Sequence, residues 1–163
     1  MVVQDVRLVP IHGESMRVYA GHAGTPSRAV VELLDREEVL WLTKAKTFKN
    51  FSAKVEANKN ALTNLLHDLK AEDKEIYGYG APGKGNTLLN YFRIGPEILD
   101  LITDTTLQKQ GTYTPGMRIS VVSPGILTTD PPDYILLLSW NYADAILEKE
   151  KALLRAQLLK KEM

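Results

Sequence analysis

Residues 76–87 read IYGYGAPGKGNT, a β-prone run that breaks into glycines and then into helix-compatible residues. How this stretch is read decides the fold. A short strand that turns on glycine into a helix is the opening unit of a layered α/β domain. Two phosphate-binding patterns overlap here. Gly78, Gly80 and Gly83 have the G-x-G-x-x-G spacing of a dinucleotide turn. Gly78, Gly83 and Lys84 have the G-x-x-x-x-G-K spacing of a triphosphate loop, but Gly85 stands where that loop needs a hydroxyl for magnesium. Pro82 removes one backbone donor as well. A magnesium-dependent NTPase is therefore not the expectation.

Downstream, strand and helix patterns alternate. "NTLLNYF" (86–92) opens a helix, and "EILDLITD" (97–104) reads as a second strand ending in Asp104. After the polar loop "TTLQKQGTYTPGMR" (105–118), "ISVVSP" (119–124) reads as a third strand. "GILTTDPP" (125–132) is a brief connection. "DYILLLSW" (133–140) is a fourth strand, whose continuous apolar run predicts burial on both faces. A long helix, "NYADAILEKEKALLRAQLLKKE" (141–162), closes the chain. The alternation predicts an α/β fold: a Rossmann-like, mostly parallel sheet flanked by helices.

Upstream the pattern differs. "DVRLVPI" (5–11) and "MRVYA" (16–20), joined by "HGES", read as a β-hairpin. In "SRAVVELLDREEVLWL" (27–42), Ser27 is placed to cap a short helix. A longer amphipathic helix follows, with Phe48, Phe51, Val55, Leu62, Leu65, Leu66 and Leu69 at helical spacing and expected in the core. Three regions result: residues 1–24, the helical connection 25–73, and the Rossmann-like domain 74–163.

Composition narrows the function. Lys plus Arg and Asp plus Glu both number 20, so the formal charge is zero, which disfavours a broad nucleic-acid or membrane-surface role. There is no cysteine, hence no disulfide, no thiolate nucleophile and no Cys-based zinc site. His12, His22 and His67 are scattered rather than clustered. No apolar run approaches about 18 residues and no leader pattern opens the sequence, so a cytoplasmic location is expected.

In a parallel sheet, ligands gather at the carboxyl ends of the strands. The candidate binding residues are accordingly Gly78, Gly80, Gly83, Lys84, Gly85, Asn86 and Thr87 in the turn, Asp104, and Trp140 with Asn141. Glycine permits close backbone approach to a phosphate, and the helix that follows would aim its N–H groups at it. The same glycines also serve tight strand–helix packing. Asp104, 21 residues after Gly83, suits either a ribose hydroxyl or a turn. Ser123-Pro124 and Ser139 fall at strand ends as well. Tyr113 and Trp140 could stack on a ligand or pack, Asn141 could cap the last helix, and His12 suits a solvated turn. No triad or carboxylate pair is legible, so no residue is assigned to catalysis.

Together, "YGYGAPGKGNTLLNYF", "ITDTTLQKQGTYTPGMRISVVSP" and "DYILLLSWNYADAIL" resemble the C-terminal domain of the S-adenosylmethionine-dependent NDP-sugar C-methyltransferases. "VRLVPIHGESMRVYAG" is similar to the strand pair that ends that family's donor-binding domain, where the pattern is closer to H-G-G-S and Glu14 departs from it. The resemblance implies a parent with a zinc-binding segment and a donor-binding domain before this one. The chain is then expected to be a fragment, inactive alone, that binds no cofactor itself and grips a nucleotide-sugar, such as a dTDP-linked keto-sugar. S-adenosylmethionine and structural zinc belong to the parent, as does the general base. The donor-binding domain is the implied partner, and self-association through the hairpin is expected where that partner is absent. Two other readings stand beside this one: a free-standing NAD- or CoA-type dinucleotide module, and a domain that only packs against its neighbour.

Overall fold

In the computed structural model of the chain, residues 1–11 and 13–151 are described. His12 and residues 152–163, where the expected closing helix would continue, lie outside the described residues. The chain divides into two compact units, Met1–Asn58 and Lys59–Met163.

In the first unit, strands β1 (Val2–Val9) and β2 (Ser15–Gly21) form the expected antiparallel hairpin, with Leu8 opposite Met16 and an irregularity between Val3 and Asp5. Gly13 and Glu14 in its loop both take positive φ, 84° and 81°. That region favours glycine, and Glu14 occupies the position where the H-G-G-S pattern has glycine. Helix α1 (Arg28–Val39) follows. Ser27 stands at its N-cap but does not cap it with its side chain. Its hydroxyl instead donates to Asp5 Oδ1 at 2.7 Å, and that bond holds the Asp5 carboxyl below its usual range. Val30 is the one buried side chain among the described residues 1–58.

Helix α2 (Ala45–Ala71) runs through the boundary between the units. Its periodicity predicts one apolar stripe, and the structure divides that stripe in two. Leu66 is buried, with Leu62 and Leu69 packed beside it. Phe48, Phe51 and Leu65 are more than half exposed, at 56%, 65% and 55%. The expectation that the whole stripe is core is therefore corrected: a helix period shows that a face exists, not that this chain covers it.

The second unit carries the sheet. Strands β3 (Ile76–Tyr79), β4 (Leu101–Thr103), β5 (Thr112–Tyr113), β6 (Ser120–Val122) and β7 (Tyr134–Leu137) lie in the order β5-β6-β4-β3-β7. All neighbours are parallel except β5 with β6. Because successive strand residues point to opposite faces, Ile76, Ile102 and Leu138 enter one core with Leu66 and Leu89. Tyr77, Tyr79, Ile135 and Leu137 enter the other with Leu127. Helix α3 (Gly83–Phe92) lies on the first face, and the single turn α4 (Ile126–Thr129) contributes Leu127 to the second. A 3-10 turn at Trp140–Tyr142 leads into α5, residues 143–151, which adds Ile146.

Two sequence expectations change here. The strand expected over 97–104 begins only at Leu101, because Ile98 and Leu99 turn back on the Gly95 carbonyl and plug the core as a loop. The run 133–140 forms an edge strand rather than a fully buried one. Tyr134 is exposed and Ile135–Leu137 are half-buried, since β7 pairs only with β3. Its apolar character reflects packing on both faces, not a central place. Strand β5, within the stretch expected to be loop, was not legible.

Asp100 ties the start of the sheet to α2. It accepts the Ile76 N–H at 3.0 Å and pairs with Lys70 in the last turn of α2 at 3.1 Å. Arg93, in the left-handed region, ends α3 and lets Ile94 turn into the core, with the Ile94 N–H donating to the Leu89 carbonyl. No helix among the described residues is long and apolar enough to cross a membrane.

Candidate functional site

The sheet order doubles back between β3 and β7, so the carboxyl ends of those strands flank the point where parallel sheets place ligands. The turn of residues 80–82 leaves β3 there. Its donors are mostly used internally. The Gly80 N–H bonds Thr103 O at 2.7 Å, the Ala81 N–H bonds Asp104 Oδ2 at 2.8 Å, and proline has no N–H at position 82. Asn86 is the first residue of α3 to bond back, to Pro82 O at 3.0 Å. The first turn, from Gly83 to Gly85, carries N–H groups of the kind a helix leaves without an internal acceptor.

The glycines have separate reasons. A Cβ on Gly78 would meet Ile102 at 2.7 Å, and one on Gly85 would meet Leu138 at 3.0 Å. Gly80 has φ +80° and lies against the Ser139 hydroxyl. These three are required by packing or by backbone conformation. Around Gly83 the space is open, with nothing within 4 Å.

Asp104 organises the turn. It is 8% exposed, and its Oδ1 accepts the Thr106 N–H at 2.8 Å. Its Oδ2 accepts both the Ala81 N–H and the Lys109 ammonium, the latter at 3.0 Å. Lys109 also donates to Ala81 O at 2.9 Å, so one cation closes the turn from both sides. Burial pushes the Asp104 carboxyl up, but the bonds from Thr106, Ala81 and Lys109 outweigh it and hold the pKa at about 2. Asp104 thus lies where expected, with its carboxylate occupied by its own chain.

Two cavities flank the turn and share Pro82 and Lys109. One, of about 340 Å³, lies on the α3 face, with Leu89, Ile102, Val121 and Leu138 along it and Asn86 and Tyr113 at its sides. The other, of about 370 Å³, is the more polar of the two, with Asp104, Thr105, Thr106, Ser139 and Lys149 in a lining that also holds Tyr79, Pro124 and Ile146. Lys84 and Trp140 are brought together, the ammonium 5.8 Å from the ring centroid. Asn86 Oδ1 and Asn141 Nδ2 are buried without a hydrogen-bond partner among the described residues. Thr87 turns its hydroxyl back to Gly83 O at 3.2 Å. Pro124 borders the polar cavity, but Ser123 borders neither. Lys109 was missed in the sequence, where it reads as one more lysine of a polar loop. Its place five residues beyond the strand-end aspartate is the only signal it offers. No cluster of three or more His, Cys, Asp or Glu that could hold a metal occurs among the described residues.

The mostly parallel sheet, the glycine turn leaving β3 and the two cavities at the carboxyl edge make this a Rossmann-like α/β domain. The profile of the C-methyltransferase C-terminal domain matches residues 10–158, and the chain belongs to that family. It is similar to the C-methyltransferase NovU of Streptomyces niveus, 36% identical over 155 residues. That alignment covers 93% of this chain and 37% of NovU, so the chain spans little more than a third of its relative's length.

Two outcomes follow from this geometry. Gly80→Ala and Gly85→Ala will each destabilise the chain by roughly 1–3 kcal/mol, whereas Gly83→Ala will be neutral or slightly stabilising. Equal losses in denaturant titrations of all three variants would contradict the separate roles. For Asp104, a folded pKa of about 2 against an ordinary 3.8 means stability present above pH 4 and lost as pH falls towards 2, on the order of 2 kcal/mol in all. Asp104→Asn will be less stable at neutral pH and will show a flatter loss across that acid window. An unchanged acid slope in urea titrations at stepped pH would remove Asp104 as its source.

Proposed function

We propose that this chain is the substrate-binding domain of an S-adenosylmethionine-dependent sugar C-methyltransferase, holding the diphosphate of a nucleotide-sugar at the first turn of α3. The observation that carries the reading is the open approach to Gly83, next to Lys84 and between two cavities, in a member of the C-methyltransferase C-terminal domain family. An anion there meets the positive end of the helix dipole and a lysine charge. In the parent reaction a base removes the proton beside a keto group of the sugar. The resulting carbanion takes the methyl that S-adenosylmethionine supplies. This chain's share is to bind and orient the substrate, which is where much of the rate of a two-reactant step arises. No residue here is assigned as the base.

The dinucleotide reading loses its main support, because the carboxylate it needs for a ribose is held by Ala81, Thr106 and Lys109. The packing-only reading has an observation of its own, namely that Gly78, Gly80 and Gly85 are each explained by their neighbours. Titration calorimetry separates the two. TDP and a TDP-sugar will release heat with the chain, Lys84→Ala will weaken both by about tenfold, and S-adenosylmethionine alone will be silent. Silence from TDP and its sugar would leave packing as the domain's role.

The partner is the donor-binding part of the parent, and the surface offered to it is in the first unit. Val3, Leu8, Met16 and Val18 on the hairpin, and Trp41, Phe48 and Phe51 beyond it, are all at least 40% exposed. Apolar exposure of this kind marks an interface. Without that partner the chain will self-associate, visible as a concentration-dependent sedimentation coefficient that Phe51→Ser and Val18→Thr together reduce. A monomer at high concentration would refute this.

A further inference from the structure

We propose that two copies of this chain pair reciprocally, the exposed stripe of α1 in each lying on the first half of α2 in the other. This rests on the reading above that the apolar surface of the first unit is an interface. It adds which surfaces meet, and what draws them together, where the donor-binding part does not occupy them.

Helix α1 packs on β1, with Ala29 and Leu33 beside Val6 and Leu8. Away from that contact, Val31, Leu34, Asp35 and Glu38 fall at i, i+3, i+4 and i+7 and share one face. All four are exposed. In the first half of α2, residues 45–58, no side chain is buried. Phe48 and Phe51 lie there one turn apart, with Lys44 four residues before the first and Lys54 three after the second. One stripe is therefore apolar and acidic, the other apolar and basic. The wider charge divides the same way: α1 has four carboxylates against two arginines, and residues 44–58 have four lysines against one carboxylate. Asp35, Glu38, Lys44 and Lys54 make no ion pair among the described residues.

Trp41, in the turn between the helices, joins the two stripes. It takes φ 57°, a region costly for a bulky side chain, and it is 63% exposed. The turn is nonetheless well held, because the Lys44 N–H and the Thr47 hydroxyl both donate to the Trp41 carbonyl, at 3.0 and 2.8 Å. Trp41 borders an open cleft of about 510 Å³ that Asp35, Glu38, Val39, Thr43 and Lys44 also line. A strained residue that holds an indole in water beside two carboxylates is explained by a surface that covers it. Charge complementarity identifies that surface as the basic, aromatic stripe, and the chain carries both halves. Because one short turn joins the halves, a two-fold axis brings each α1 onto the other copy's α2, and the contact closes as a dimer. The formal charge of zero gives the chain no general pull towards a polyanion.

Sedimentation equilibrium tests the pairing with the wild type and two charge-reversed variants, Asp35→Lys with Glu38→Lys, and Lys44→Glu with Lys54→Glu. The wild type will dimerise, and more weakly as salt rises from about 0.05 to about 0.5 M. Each variant alone will raise the dimer dissociation constant about tenfold, because attraction becomes repulsion at both symmetric contacts. Mixed in equal amounts, the two variants will associate at least as tightly as the wild type, since each contact again joins opposite charges. All four positions are exposed, so the variants keep the fold, which far-UV circular dichroism checks. A mixture that associates no more than either variant alone would overturn the pairing. Variants that associate just as the wild type does would overturn it too, and leave self-association through the hairpin standing. A wild type that stays monomeric would sink both, and leave Phe48 and Phe51 to the donor-binding part.

Discussion

The carboxylate of Asp104 accepts the Ala81 N–H, the Thr106 N–H and the Lys109 ammonium at once. A charge this enclosed is tolerated only when its lone pairs are met, and removing one partner would leave an uncompensated anion. The constraint therefore runs both ways. The turn after β3 must stay where Ala81 reaches the carboxylate, and the segment after β4 must stay where Thr106 and Lys109 do. Asp104 N in turn donates to Val122 O, so the ends of β3, β4 and β6 meet in one network. The edge on which the cavities open is set by that network rather than by the glycines alone.

This arrangement changes what the glycine pattern means. In a phosphate cradle the turn's N–H groups face the ligand; here Gly80 and Ala81 spend theirs on Thr103 and Asp104. What is left for an anion is the first turn of α3. The site proposed there is smaller than the motif implies, and as proposed it requires no rearrangement of the turn before a ligand arrives. Pre-organisation of that sort lowers the entropy lost on binding.

Much of this was legible in the residues. The strand–turn–helix at 76–92 has strong local signals, because glycine, proline and a switch of hydrophobic period coincide there. The parallel order follows from the alternation of elements, and the site's place at the carboxyl edge follows from that order. Other parts had no local signal. A two-residue strand such as β5 has too few positions to show alternation. The run 134–138 shows that both faces of β7 are covered, which an edge strand and a central strand share. Phe48 and Phe51 keep helical spacing whether or not this chain covers them. Asp104 could be singled out, but its partners could not, since Lys109 reaches it through a 3-10 turn that polar residues do not announce.

The described residues of 1–58 hold a single buried side chain, Val30. Such a segment buries too little apolar surface to resist its own opening by much. If the partner proposed above takes up Trp41, Phe48 and Phe51, then through linkage the strength of that association becomes the segment's stability. Residues 76–138 depend on no such condition, being fixed by two cores and the Asp104 network. On that proposal, one continuous chain contains a part whose stability is a folding constant and a part whose stability is a dissociation constant.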